Sequence, residues 1–377
     1  MKHLLIIVFA SLSITVLAQK NNTKKTSEKP FRVPLVAENW NFKTGVAEFI
    51  THRSVPALKI NDGAAPVVLK NFTFTNGTIE YDFEPLEPDF TSIYFRWKNE
   101  SENECFYFRN RAGNASAIDA IQYAPLIKGI NMWDALYHFQ AKANFELGKW
   151  NHVKLVISGK QMLVFVNDMD KVALKVPYLE GDNTSGTLAF DGKVAIANLV
   201  VKANVTEGLS PQEGVDPTSR DSSYIRKWQI SPPISTAKNI DFSYDYIPNA
   251  ETKWEDITAE RRGLMNLTRK FGKTDERRIV WLKADITSSE NLERKLHLGF
   301  SDEVWVFING QPLYIDKNLY NTPMMKKPDG RCSVENTSFN VPLKKGNNTL
   351  LIGVANNFYA WGIVARFDDV EGIALSK

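Results

Sequence analysis

A chain of 377 residues that is 43% hydrophobic and 24% charged has an ordinary globular composition, and it is long enough at about 100–200 residues per domain to predict two cores. Forty-six Lys+Arg against 43 Asp+Glu leave a formal charge of +3, a field too weak to recruit a polyanion, which argues against a nucleic-acid partner. Two cysteines, Cys105 and Cys332, are too few for a disulfide framework and too far apart in sequence for a zinc or redox pair of recognisable spacing.

The chain opens on Lys2 and His3, then an apolar run from Leu4 to Leu17 that closes on Val16-Leu17-Ala18, the pattern of a cleavable signal peptide over residues 1–18. The run is broken by Ser11, Ser13 and Thr15 and falls short of the roughly 20 apolar residues of a membrane span. No cysteine follows it to carry a lipid, so a soluble, secreted or periplasmic product without a membrane span is expected. Residues 19–32 are polar, with little to bury, and read as a flexible leader.

From residue 33 to 203 short β-branched or alternating runs, bounded by Gly, Asn, Asp and Pro, predict strands at 78–83, 92–97, 105–109, 152–158, 162–167, 187–191 and 195–202. Residues 204–223 hold Gly208, Pro211, Gly214 and Pro217 without periodicity, as a linker does. Beyond it, residues 224–377 predict strands at 278–286, 295–300, 303–308, 349–355 and 362–368, with one helix-like segment at 257–271. The expected fold class is all-β, two β-sandwich or jelly-roll domains in tandem behind a signal peptide.

Strand alternation locates a candidate surface. Across 92–109, Ile93, Phe95 and Trp97 share one face with Phe106 and Phe108 as core, which leaves Tyr94, Arg96, Cys105, Tyr107 and Arg109 on the other. Two tyrosines and two arginines on one sheet face can stack on a sugar ring and donate planar hydrogen bonds, although the same arginines could simply pair with Glu80, Asp82 or Glu104. The following connection, 110–144, adds Tyr123, Trp133, Tyr137 and His138 with Asn131 and Asp134, an aromatic-rich loop of the kind that edges binding sites.

The run Gly148-Lys149-Trp150-Asn151 through Ser158-Gly159, followed by 162–168, resembles the late strands of concanavalin A-like sandwiches, a likeness that extends to laminin-G-like modules and to secreted 3-keto-disaccharide hydrolases. Ser92-Ile93-Tyr94-Phe95-Arg96 resembles a strand of the hydrolases that ends in Phe-Arg. Where those enzymes carry a Tyr-Glu-x-Gln strand, this chain has Phe106-Tyr107-Phe108-Arg109, so the resemblance brings no acidic residue to that position.

The second half is similar to galactose-binding-like jelly rolls, on Ile225 through Pro233, on Gly299 through Asn309-Gly310, on Lys345-Gly346-Asn347 and on Trp361-Gly362 through Phe367. Val304, Val306 and Ile308 alternate with Trp305 and Phe307, so both faces of that strand are apolar and it is expected to lie centrally, with Trp305 in the core. The loop with Asn356, Asn357, Tyr359 and Trp361 is the second candidate recognition surface, with Trp361 alternatively packing the end of the sandwich. No cofactor is expected; Asp302, Glu303, Asp368 and Asp369 supply hard oxygen ligands for a possible structural Ca²⁺.

Three functions follow from these residues. The first is a secreted, mainly non-catalytic protein whose partner is a carbohydrate ligand held by the first sandwich. The second is a hydrolase, which needs two carboxylates about 5–9.5 Å apart; Glu80 and Asp82 are the best same-face pair, with Asp119, Asp134 and Glu146 at the loop edge. The third is a structural cell-surface module.

Overall fold

The computed structural model describes residues 29–63, 65–111, 117–237, 240–272, 274 and 276–375, so the signal-peptide reading of residues 1–18 lies outside the described residues. The described part is built of antiparallel sheets packed as sandwiches. In the first half one sheet runs Leu174–Val176, Gln161–Val166, Asn151–Ser158, Gly77–Pro85, Val194–Ala203, Val55–Ile60 and Ala47–His52 in spatial order. The facing sheet runs Ile130–Asn131, Leu126–Ile127, Glu102–Arg109, Phe90–Asn99, Thr187–Asp191, Val67–Leu69 and Trp40–Asn41.

Period-two alternation puts Ile79, Tyr81 and Phe83 of one sheet against Ile93, Phe95, Phe106 and Phe108 of the other, all of them buried in one core. The Phe83 and Phe108 rings meet at 4.3 Å between centroids. Each such side chain contributes roughly 1.5–3 kcal/mol by leaving water.

The second half repeats the scheme with a sheet of Glu255–Thr258, Lys227–Ile230, Arg278–Ser288, Gly346–Ala355, Glu303–Ile308 and Gln311–Lys317 over one of Leu264–Asn266, Gly362–Phe367, Leu292–Ser301 and Thr337–Leu343. Glu303–Ile308 lies between two neighbours, as its two apolar faces require. Val304, Val306 and Ile308 enter the core, while Trp305 and Phe307 face outward beneath Phe242, which stacks on Trp305 at 5.2 Å. Asn309 and Gly310 take φ of +51° and +77°, the left-handed pair that a tight hairpin demands.

The helix expected over 257–271 shrinks to Leu267–Phe271. Residues Glu255–Thr258 are a strand instead, and Arg262 and Gly263, at φ of +57° and +73°, break any helical path between them.

The two halves meet on apolar surface. Leu264, Cys332, Ala360 and Val364 of the second half are buried in the same cluster as Leu136 and Phe139 of the first. Polar ties flank that contact: the Cys332 amide donates to the Asp134 carbonyl at 2.9 Å, and the Tyr137 hydroxyl to Ser333 Oγ at 2.9 Å. Both cysteines are free and buried, and burial pushes both thiols above their ordinary pKa. A thiol reagent should therefore leave the native protein untouched and modify both cysteines after denaturation without reductant; fast labelling of the native chain would contradict this packing.

Candidate functional site

The expected row of Tyr94, Arg96, Tyr107 and Arg109 on one face holds for three of the four. Pairing between Phe90–Asn99 and Glu102–Arg109 slips after Phe95, and Arg96 sits at the slip with φ +49°. One extra residue in a strand reverses the alternation beyond it. Arg96 therefore points inward, 1% exposed, and donates to the carbonyls of Thr75 (3.0 and 2.8 Å) and Gly159 (2.7 Å) and to Asn76 Oδ1 (3.2 Å). It clamps loops and touches no open surface. Trp97 moves the opposite way, out of the core to join Tyr94 and Tyr107.

Tyr123 is likewise a core residue, its hydroxyl donating to Glu104 at 2.5 Å and accepting from the Glu180 amide at 2.7 Å. Tyr94 donates to Asp191 at 2.5 Å within the outer-face cluster. Glu80 and Asp82 lie on the opposite sheet, engaged by Lys202 and by His152, away from the arginines of the outer face.

Tyr107, Arg109 and Trp133 do converge, and they do so with the second half. They line a cleft of about 490 Å³ whose other wall is Tyr320, Phe358, Tyr359 and Arg331. Gln122 organises the first-half side: its carbonyl oxygen accepts from Tyr107 at 2.9 Å and Arg109 at 2.7 Å, and its amide donates to the Trp133 carbonyl at 2.7 Å. Asp119 joins the halves, 3.6 Å from Arg109 Nε and 3.2 Å from Arg331 Nη2. Arg331 also lies over the Trp133 ring at 5.3 Å, a cation–π contact that holds the indole plane.

Above this charged floor Trp133 meets Tyr320 at 5.0 Å and Tyr359 at 5.9 Å, both edge to face, and Tyr320 stacks on Phe358 at 5.6 Å. Tyr320, Phe358 and Tyr359 stay 39–45% exposed, so the cleft presents rings to solvent. Two devices position them. The long loop after Gln311–Lys317 is stapled by buried Asn318, which donates to the Phe300 carbonyl at 2.9 Å and accepts from the Lys326 amide at 2.9 Å. The 356–360 loop is gripped by Asp302, which accepts from the amides of Asn357 (2.5 Å) and Phe358 (2.6 Å), and by Asp134, which accepts from the Ala360 amide (3.3 Å).

The remaining candidates lie elsewhere. Trp361 is buried in the second core, with Arg278 over its ring. Asn356 and Asn357 flank the cleft without lining it. Tyr137 and His138 line a separate small hollow between the halves; burial, then the nearby Arg262 and Arg261 charges, push the His138 imidazole down to about 3, which keeps it neutral. The possible Ca²⁺ site does not assemble. Asp302 is spent on the loop amides, Glu303 on Arg277 and Lys317, and Asp369 on Arg294. Among the described residues no group of three or more potential ligands converges.

Sequence reasoning missed Tyr320 and Arg331 and left Phe358 out of the site. The readable signal was the length of the 318–336 loop, which strands on both sides leave unpaired and which carries an aromatic and several charges.

No protein-family model matches the chain, and no curated protein does either. Among solved structures it resembles the carbohydrate-binding module CBM66 from Bacillus subtilis, at 12% identity and a TM-score of 0.32 over 43% of this chain and 93% of that one. A Bacillus subtilis protein of unknown function with a galectin-like fold matches at 13% identity and a TM-score of 0.33, over 46% of this chain and 94% of its own. The Caenorhabditis elegans galectin LEC-6 matches at 14% identity and a TM-score of 0.26, over 43% of this chain and 99% of its own.

Proposed function

We propose that this chain binds a carbohydrate in the cleft between its two sandwiches, as a secreted protein without catalytic activity. One observation carries the reading: Trp133 from the first half faces Tyr320 and Tyr359 from the second over a floor of Arg109, Asp119 and Arg331. Aromatic walls supply the apolar faces on which a sugar ring stacks, and interlocked guanidinium and carboxylate groups supply fixed donors and acceptors for hydroxyls.

Hydrolysis is the weaker reading because glycoside cleavage requires a carboxyl group that carries a proton to the leaving oxygen. Of the two acids lining the cleft, Asp119 is engaged by two arginines, and Asp329 is held below the usual carboxylate range, first by Lys327. The carboxyls whose pKa burial raises close to this site, Asp134 and Asp302, are sealed at 2% exposure. Export rests on the N-terminal apolar run, and among the described residues no helix is long and apolar enough to cross a membrane.

The test is calorimetric titration of the mature chain with neutral oligosaccharides. Trp133→Ala and Tyr359→Ala should each weaken binding about tenfold, the loss of about 1.4 kcal/mol of stacking, with the thermal midpoint little changed. Undiminished affinity in both variants, or no binding to any glycan, would remove the proposal.

A further inference from the structure

Tyr107, Arg109 and Arg111 alternate along one strand and its continuation. The ladder runs on past Arg109, because the Asn110 amide donates to the Asp89 carbonyl at 2.9 Å and the Asn110 side chain is buried. Period-two geometry then returns Arg111 to the face of Tyr107 and Arg109, about 7 Å beyond the latter. All three line the cleft. Across the ladder Phe90 stands opposite Arg109 and is 44% exposed, so this end of the cleft offers an open ring near the exposed Arg111 side chain.

The charges around the cleft do not cancel. Arg109 and Arg331, with side chains only 7% and 6% exposed, share one carboxylate, Asp119. Asp329 is engaged by Lys327 at 2.9 Å, with Arg331 at 3.8 Å. Both acids that line the cleft are thus committed, and among the described residues neither pairs with Arg111. Behind the floor, burial pushes Asp134 up to about 8, so at neutral pH it adds little counter-charge, and Asp302 spends its charge on the Asn357 and Phe358 amides. The whole chain carries only +3, so this excess is local and of a size that a single anion can largely offset. An exposed guanidinium at the mouth presents a planar fork to a carboxylate, and two more just beneath the floor act through a medium of low dielectric.

We propose that the glycan bound in the cleft carries a carboxylate, as one uronic acid residue on an otherwise neutral chain, and that Arg111 receives this group while the acid sugar packs against Phe90. The inference rests on the cleft being a glycan site and adds to it the charge of the ligand and the end of the cleft that reads it.

The experiment titrates the mature protein with short xylan, mannan and galactan fragments that end in one glucuronic or galacturonic acid residue, each beside its carboxyl-reduced counterpart, in which the acid has become a neutral hydroxymethyl group. The acid form should bind about fivefold more tightly at low ionic strength, and the advantage should vanish in about 0.5 M salt. Arg111→Gln should bring the ratio of the two affinities close to one, and Arg111→Glu should invert it; residue 111 is exposed, so both variants should fold. Trp133→Ala should weaken the acid and the reduced form alike. Equal affinity for the two forms with Trp133→Ala still weakening both, or an acid preference that survives both substitutions at Arg111, would sink the carboxylate subsite and leave the cleft standing. A sulfated sugar that outbinds its uronate counterpart would overturn the assignment to a carboxylate. Indifference of both forms to Trp133→Ala and Tyr359→Ala, or no binding across the series, would sink the cleft as well.

Discussion

Arg96→Ala should destabilise the first sandwich by about 3–5 kcal/mol and leave glycan affinity in the surviving folded protein unchanged. Its guanidinium bridges the Thr75 and Gly159 carbonyls and Asn76 Oδ1, so truncation strands three acceptors in a place that water does not reach. It also removes a countercharge. Glu104 is fully buried, with desolvation raising its pKa against the pull of the Tyr123 hydrogen bond and then of the Arg96 charge.

Arg96→Met, which restores most of the volume without the donors, should recover little. A double variant with Glu104→Gln should lose less than the two single losses added together, because the two groups are coupled through that charge. Urea unfolding with matched slopes is the measurement. A loss under about 1 kcal/mol in Arg96→Ala would contradict the clamp assigned to it.

This residue also shows where the sequence stops being legible. Alternation placed Ile93, Phe95, Phe106 and Phe108 in the core and Tyr94, Tyr107 and Arg109 outside it, because a regular ladder has period two. It failed at Arg96 and Trp97, one step past Phe95, because a slip in pairing is set by what the neighbouring strands and loops hold in place: the waiting carbonyls of Thr75 and Gly159 are 21 and 63 residues away. Nothing in the local run Tyr94-Phe95-Arg96-Trp97 announces it.

The cleft was legible by halves for the same reason. Trp133 and Tyr359 were both visible as aromatics on connecting loops, yet each was assigned to its own domain. Only the packing of Leu264, Cys332, Ala360 and Val364 into the first core brings them to 5.9 Å. Composition marks a residue as able to bind, whereas the tertiary contact decides what it binds with. Asp302 illustrates the converse. Read as a cation ligand from its acidic neighbours, it instead accepts two consecutive backbone amides, a concave cluster of N–H groups that favours a carboxylate.

Asp134→Asn should raise stability increasingly from about pH 4 to about pH 8 and extend glycan binding beyond pH 8. Asp134 comes from the first half and Asp302 from the second; Ser301 Oγ lies 3.4 Å from the former and 2.9 Å from the latter, and the two acids together hold the 357–360 backbone that carries Phe358 and Tyr359. Burial, and secondarily the Asp302 charge, push Asp134 up to about 8. Burial pushes Asp302 up to about 6 against the pull of the Phe358 and Asn357 amides, with Glu303 raising it further. Cys332 is the other titratable neighbour, and its thiol is pushed well above the working range.

Both folded-state values exceed the unfolded carboxylate value near 4, so over this window the folded chain holds protons that the unfolded chain has lost. Stability therefore falls as pH rises from about 4, through both groups up to 6 and through Asp134 alone up to 8, at up to about 1.4 kcal/mol per pH unit for each group. Asparagine at 134 can still accept the Ala135 and Ala360 amides through its oxygen and can turn its amide toward Ser301, so it keeps the geometry and removes the titration. Between pH 6 and 8 the wild-type pair carries one negative charge, which suits the amides at Asp302. Above 8 both acids are ionised in a buried site, and the loop that presents Tyr359 to Trp133 loosens. Wild-type affinity should fall on that limb while Asp134→Asn holds its own, whereas the unfolding midpoints should diverge between about pH 4 and pH 8 and keep a constant separation above it. Superimposable pH profiles of the two proteins between 6 and 9 would show that this acid pair does not govern the cleft.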